Sequence, residues 1–532
     1  MYLPGDTKCR SGKPKAVHVA NVFRTSFDVA GLIVAPTSRH ILRTPVIHLN
    51  TKGRTMSLWS DAVSRQPSRA TRRQVLQAGS IGALSMGLPG MVAAQVDSEK
   101  GLGKEAAPKS VIFVLLCGGP SHIDTWDLKP EAPSEIRGPY QPIATTVPGM
   151  QINEMHTRLA TLTDKFSLIR SMTHVGNISN HFDAMHHLLS GQANAPLDSP
   201  YLGSILAKVR PTRKTVAPYV WLIKCVGDPV FCAPNIGNAG HLGMAYSPMF
   251  VGNATNHPAM PKFAPPEELQ RAVPTDRMLV RRTLLDRLDA GAEKSAATPP
   301  AVRSADWENL YGRAFDLTSG AEAVRPYDLT LESVETRERY GMHPLGQNLL
   351  LARRLVESGV GFVTVNGWTG ISPTGGGGAP SSSWDMHGGE MGMGSAFGDG
   401  SYGMGWCLPR LDEALSALLV DLEDRGLLES TLVIVSGEFG RTPRINAPGL
   451  NPGRQHWPAC YSAIVAGGGI RGGMVYGETD KTGSYVKDKP VRPQDLAATI
   501  YHALDVPLDV KLGKDGFSKP LVAGEPLLKL FG

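Results

Sequence analysis

The chain has 532 residues, 42% of them hydrophobic and 19% charged, a composition that points to a globular protein and away from a membrane bundle or a disordered segment. The formal charge of +6 comes from 54 Lys and Arg against 48 Asp and Glu. Much of that excess lies in the first hundred residues, and no basic stripe with interleaved aromatics runs through the body, so nucleic acid is not an expected partner.

In chain order, residues 1–55 show no clear periodicity, whereas Met56 opens "MSLWSDAVSRQPSRATRR". The expectation is that Met56 is the true start and that 1–55 is a non-native extension. Arg72 and Arg73 then precede an uncharged, Gly- and Ala-rich run that ends in small residues at Val92-Ala93-Ala94. That pattern predicts a cleavable twin-arginine signal over 56–94, hence a periplasmic or secreted protein exported already folded. From Val75 to Ala94 the run includes Gln, Ser and Pro, so no stable membrane span is expected after cleavage. Residues 95–110 read as a polar linker. Six Cys are few for an exported chain, and none has zinc-motif spacing. Cys225 and Cys232 could close a small disulfide loop or remain buried thiols.

"VIFVLL" (111–116) is continuously apolar and β-branched, as a strand buried on both faces must be. A helical stretch near 154–164 and the strand "FSLIRSM" (166–172) would complete a β–α–β start. "HFDAMHHLLSG" (181–191) reads as a helix ended by Gly191. "YVWLIKCV" (219–226) is another strand, and 266–358 turns helical. Strand "GFVTVNGW" (361–368), an amphipathic helix over 408–431, and strands at 432–437 and 461–470 follow. Alternation of this kind predicts a three-layer α/β/α domain over 111–525 with a mostly parallel sheet and a helical insertion at about 266–358. Two irregular stretches, 372–406 and 445–459, follow strands and should share a face with the loop after 116, since ligands in such sheets collect at the carboxyl ends of the strands.

Four polar clusters follow those strand ends: His122/Asp124/Asp127; His181/Asp183/His186/His187; Asp385/His387; and Glu438 with His456. Imidazole with carboxylate suits zinc, manganese or iron, and adjacent metals suit hydrolysis of phosphate or sulfate esters. A lone His is ordinarily a satisfied structural residue; four groups at strand ends are harder to assign that way. His187 lies four residues after Asp183, where the two can simply pair along a helix.

"GGPSHIDTWDLKP", "WDMHGG", "SGEFGRTP", "GRQHWP" and "LVESGVGFVTV" resemble the exported bacterial proteins of domain-of-unknown-function family 1501, which is sulfatase-like and belongs to the alkaline phosphatase superfamily. The resemblance runs from about Val111 to Leu521. It implies an alkaline phosphatase/sulfatase-like fold and a divalent-metal site for one or two ions of zinc, manganese, calcium or iron. Carried over, Asp385 and His387 stand for the family's Asp…His pair, Glu438 for the Asp of the motif after a late strand, with Phe439 where His is expected, and His456 for the last His. Asp124 and His181 complete the implied set. Where sulfatases carry a Cys or Ser ten residues before a closing Gly, this chain has His181, which leaves it a metal ligand, a histidine nucleophile or a relic; Ser179 and Thr173 are hydroxyls nearby.

Arg441, as a bidentate clamp, and Lys129, as a point charge, are candidates to hold an ester anion, with an ordinary ion pair the alternative for each. Trp126, Trp384 and Trp457 beside the motifs could stack on a sugar or wall the site. The expected function is a metal-dependent hydrolase of phosphate or sulfate esters acting on a small molecule or a polysaccharide; the alternative is a non-catalytic metal- or glycan-binding surface protein on the same fold.

Overall fold

The computed structural model describes residues 109–532 apart from 177, 213–214, 224–238, 270–273, 296–311, 313, 316, 319–320, 376–377, 447–448 and 513–519. Met56, the signal segment, Cys225 and Cys232 therefore lie outside the described residues.

The strand read at 111–116 runs as β1, Ser110–Leu115, with every position buried. It sits inside an eight-stranded sheet with β2 (Phe166–Met172), β3 (Tyr219–Leu222), β4 (Met249–Val251), β5 (Phe362–Asn366), β6 (Thr431–Ser436), β9 (Tyr461–Ala466) and β10 (Val475–Tyr476). The order is β10-β2-β9-β6-β1-β5-β3-β4. β1 is parallel to both β5 and β6, in register Val111↔Phe362 and Val111↔Leu432, so the three strands that carry polar motifs at their ends lie side by side. β3 continues the parallel half beyond β5. β9 is the exception, antiparallel to β6 on one side and to β2 on the other. The expected β–α–β start is thus not a local unit: β6 and β9 stand between β1 and β2, and the segment joining them ends in a 3-10 helix, Leu159–Lys165.

Strand alternation puts Ile112 and Val114 on one face and Val111, Phe113 and Leu115 on the other, and each face has its own core. The first is covered by α4 (Pro344–Glu357) and α5 (Met404–Asp424). The second is covered by α1 (His181–Ser190), α2 (Leu202–Val209) and α6 (Pro493–Ala503). This is a three-layer α/β/α fold with a mostly parallel sheet. The region 266–358 is not uniform. α3 (Thr275–Ser295) leaves Leu279, Val280, Leu284 and Leu288 exposed, whereas α4 buries Leu349, Leu350 and Leu351 and belongs to the layer over the sheet. No helix among the described residues is long and apolar enough to cross a membrane.

Two glycines turn the chain out of β1. Gly118 has φ +116°, and a Cβ there would fall 2.3 Å from the Asp385 nitrogen; Gly119 has φ +74° and abuts Phe439. The backbone therefore passes closer to the "WDMHGG" and "GEFG" loops than any side chain allows. The loops at 372–406 and 445–459 are stitched together by backbone hydrogen bonds, Arg454 to Met386, Gly389 to Asn451 and Ala396 to Pro452. A two-residue ribbon, β7 (Gly440–Arg441) against β8 (His456–Trp457), finishes that end of the sheet.

Candidate metal centre

His181, Asp385, His387 and His456 offer ligand atoms that all lie within 4.8 Å of one another. Each arrives by a different route. Asn180 caps α1, accepting from the Asp183 nitrogen at 2.9 Å, so the helix begins at His181 and the ring projects from its first turn. Asp385 and His387 come from the loop after β5. His456 comes from β8, whose pairing with β7 sets Arg441 opposite it.

The three rings share one design. His181 Nδ1 lies 2.6 Å from Glu438 Oε1, His456 Nδ1 lies 2.6 Å from the Ser179 carbonyl, and His387 Nδ1 bonds the Gln455 side-chain oxygen. Those oxygens can only accept, so each Nδ1 carries a hydrogen and each Nε2 turns inward. Inside, Asp385 Oδ1 is 2.9 Å from His387 Nε2 and 3.2 Å from His456 Nε2, while Asp385 Oδ2 is 3.3 Å from His181 Nε2. The Nε2 atoms of His387 and His456 are 2.9 Å apart. Inward ring nitrogens around one carboxylate, each fixed from behind by an acceptor, is how histidine ligands are oriented on a metal.

The electrostatics agree. Burial would raise the Asp385 carboxyl, but the Arg441 guanidinium and the His181, His387 and His456 rings around it hold it far below the usual carboxylate range. Burial would lower His181, but Asp385 and Glu438 raise it to about 9, so in the absence of a cation a proton sits between the two carboxylates. His456 is lowered to about 4 by burial, reinforced by Arg441 and His181 against the pull of Asp385. Glu438 is fully buried, and its Oε2 has no hydrogen-bond partner among the described residues. An orphaned carboxylate oxygen beside this cluster fits a cation, because burying unpaired charge is otherwise costly.

The sequence-predicted residues divide. His181, Asp385, His387 and His456 are brought together. Glu438 stands behind His181, also accepting from the Gly118 nitrogen at 2.8 Å, which makes it an orienting group. Asp124 is not brought in: Arg454 grips it two-pronged, at 2.6 and 3.0 Å, and uses both its oxygens. Arg441 is fully buried and faces inward, 2.5 Å from Asp385 Oδ1 and 2.8 Å from the Gly119 carbonyl, so its donors serve the cluster's carboxylate and the loop backbones. Lys129 pairs with Asp127 at 3.0 Å. His122 bonds the Gly483 carbonyl at 2.8 Å and His186 the Pro196 carbonyl at 2.8 Å. His187 packs beside His174, ring centroids 6.3 Å apart, and Asp183, its expected partner, is engaged by Asn180. Trp126 and Trp384 are core residues at 1% and 0% exposure. Sequence reading missed Gln455 and the Ser179 carbonyl; the adjacency of Gln455 to His456 in "GRQHWP" was the available signal.

The family described as "Protein of unknown function (DUF1501)" matches residues 108–525. No curated protein matches the chain. Among solved structures, the chain is similar to a sulfatase from Pseudoalteromonas sp., with 12% identity, TM-score 0.31, and 80% of this chain and 72% of that chain covered. It is similar to a phosphonate monoester hydrolase from Silicibacter pomeroyi, with 12% identity, TM-score 0.30, and coverage of 79% and 76%. It is also similar to a lipoteichoic acid synthase from Listeria monocytogenes, with 11% identity, TM-score 0.31, and coverage of 76% and 73%.

Proposed function

The chain belongs to the DUF1501 family, and from that membership together with the cluster we propose an exported, metal-dependent hydrolase of phosphate or sulfate esters carried by small molecules or polysaccharides. The observation that carries the reading is the convergence of His181, Asp385, His387 and His456 within 4.8 Å. Three imidazoles and one carboxylate suit zinc, manganese or iron rather than calcium, which takes oxygen donors. A divalent ion held there supplies Lewis acidity to an ester oxygen and makes hydroxide available near neutral pH.

The residues do the rest. One carboxylate among neutral rings leaves a divalent site with net positive charge, which attracts an anionic ester. Glu438, Gln455 and the Ser179 carbonyl keep the rings from turning, and Arg441 keeps Asp385 ionised and fixed. Side-chain exposure rises from 3% at His181 through 8% at His387 to 17% at His456, so substrate approaches from the His456 side. His181, buried between two carboxylates, is read as a ligand rather than a nucleophile. Arg72–Arg73 and the small-residue end at Ala94 support export by the twin-arginine route.

Metal analysis of the purified chain, followed by a panel of aryl phosphate, phosphodiester and sulfate substrates with and without chelator, tests this. Bound metal with chelator-sensitive turnover is expected. Bound metal without turnover of any ester would favour the non-catalytic reading, which His181 supports by occupying the position where sulfatases place a hydroxyl or thiol.

A further inference from the structure

One residue beyond His456 the chain meets a second concavity. A cavity of about 550 Å³ is lined by Thr173, His174, Trp457, Tyr485 and Lys487, among others. His456 and Trp457 are consecutive in β8, so their side chains leave opposite faces of the ribbon, one toward the cluster and one toward this cavity. The segment from Thr173 to His181 joins the same two places: its first residues wall the cavity, the Ser179 carbonyl holds His456, and His181 enters the cluster.

The cavity is built, and built for a particular chemistry. Trp457 is locked by its Nε1, which donates to the Ser484 carbonyl at 2.6 Å. Tyr485 stands against it at 62°, ring centroids 5.7 Å apart, so the rings form a corner with a wall and a floor. Tyr485 is 58% exposed, yet its loop is pinned. Asp480 accepts from the nitrogens of Thr482 and Ser484 at 2.9 Å and of Tyr485 at 3.1 Å. An exposed aromatic ring held in place by a buttressed turn is pre-ordered for a ligand, since little side-chain freedom remains to be lost on binding. His174 also lines the cavity. It is 6% exposed, its Nε2 bonds the Glu438 carbonyl at 2.5 Å, and its Nδ1 has no partner among the described residues. That nitrogen is itself buried, so the ring serves the cavity as wall and not as a contact for a hydroxyl. Lys487, paired with Glu478 only in an exposed bridge at 3.0 Å, places an ammonium at the rim.

Rigid aromatic faces for C–H surface and a cation at the rim for an anionic substituent are the complement of an acidic pyranose ring. We propose that the Trp457–Tyr485 corner is a saccharide subsite that binds an anionic polysaccharide at a sugar unit other than the one presented to the metal cluster. The proposal rests on the hydrolase reading for the direction in which the polymer lies, but not for the binding itself.

The test reads binding. The purified full chain is applied to an array of neutral, uronate-bearing and sulfated oligosaccharides, and the best retained is titrated against variants. Saturable binding is expected, weakened about tenfold by Tyr485→Ala and at least as much by Trp457→Ala, and retained by Tyr485→Phe, as expected where stacking of a rigid ring carries the contact. Tyr485 is exposed, so Tyr485→Ala should keep the wild-type melting temperature and metal content. Retention of no saccharide, or binding unchanged in both alanine variants, overturns the subsite. Failure to hydrolyse any ester would overturn the hydrolase reading alone and leave this result to stand or fall separately.

Discussion

Two histidines, each near an acid in sequence, occupy opposite situations. His387 has Nε2 against Asp385 and His456 and Nδ1 held by Gln455, whereas His187 touches none of that group and lies against His174. His387→Ala should therefore strip bound metal and any hydrolytic activity while the circular dichroism spectrum stays native. His187→Ala should instead cost about 1–2 kcal/mol in denaturant titration and keep its metal, as removal of a buried packing residue does. A third histidine makes a pH signature. His156 is fully buried and stacked on Trp126, with Nδ1 3.9 Å from Asp412, and burial pushes its pKa from 6.5 to about 3. The folded protein keeps it neutral while the unfolded chain protonates it. Its stability term is full above pH 6.5 and is lost progressively as pH falls toward 3. At pH 5 the loss from this one group is about 2 kcal/mol. The stability lost between pH 7 and pH 5 in denaturant titrations should be smaller by about that amount in His156→Leu than in the wild type.

Among elements, α1 matters most because its first residue is a ring of the cluster. Asn180 accepts from the Asp183 nitrogen and donates to its carboxylate at 2.8 Å, so Asn180→Ala should cost about 1 kcal/mol of helix-start stability. Because His181 then hangs from a frayed turn, metal affinity measured by competition with a chelator should fall too. α1 was legible in "HFDAMHHLLSG", where the helical spacing and Gly191, at φ 64°, mark both face and end. The strands were legible for a cruder reason: β1, β6 and β9 bury all six positions each, and a strand buried on both faces is apolar nearly throughout, with Ser110, Thr431, Ser436 and Ser462 the small polar exceptions. That same uniformity hid their directions. A continuously apolar strand carries no side-chain trace of its neighbour's polarity, so the antiparallel entry of β9 and the distance of β2 from β1 could not be read. Ligand types at strand ends announced His181, Asp385, His387 and His456. Partner choice did not announce itself: Asp124 looks like any other strand-end acid until Arg454, 330 residues away, takes it.

At the scale of the molecule, a buried ion network fastens the helical layer. Arg353, 1% exposed, bonds Glu332 and Glu357 at 2.7 Å and Asp421 at 2.9 Å, joining α4, α5 and the segment before α4. Arg353→Met should destabilise by about 1–3 kcal/mol, because it removes buried charged hydrogen bonds while Arg354 still pairs with Glu332 and Arg425 with Asp421, and denaturant unfolding should register this with metal content unchanged. The stitched loops over the sheet carry another consequence. His181 and Glu438 are 257 residues apart, and His456 reaches back 71 residues to Asp385. No short peptide of this chain carries the full donor set; Asp385 and His387 are its nearest pair. An ion held by that set would consequently be a ligand of the native state alone, stabilising it by mass action. It should act on only one arm of the folding kinetics. Saturating metal should slow unfolding, chelation should restore the faster rate, and the refolding rate should stay the same in both.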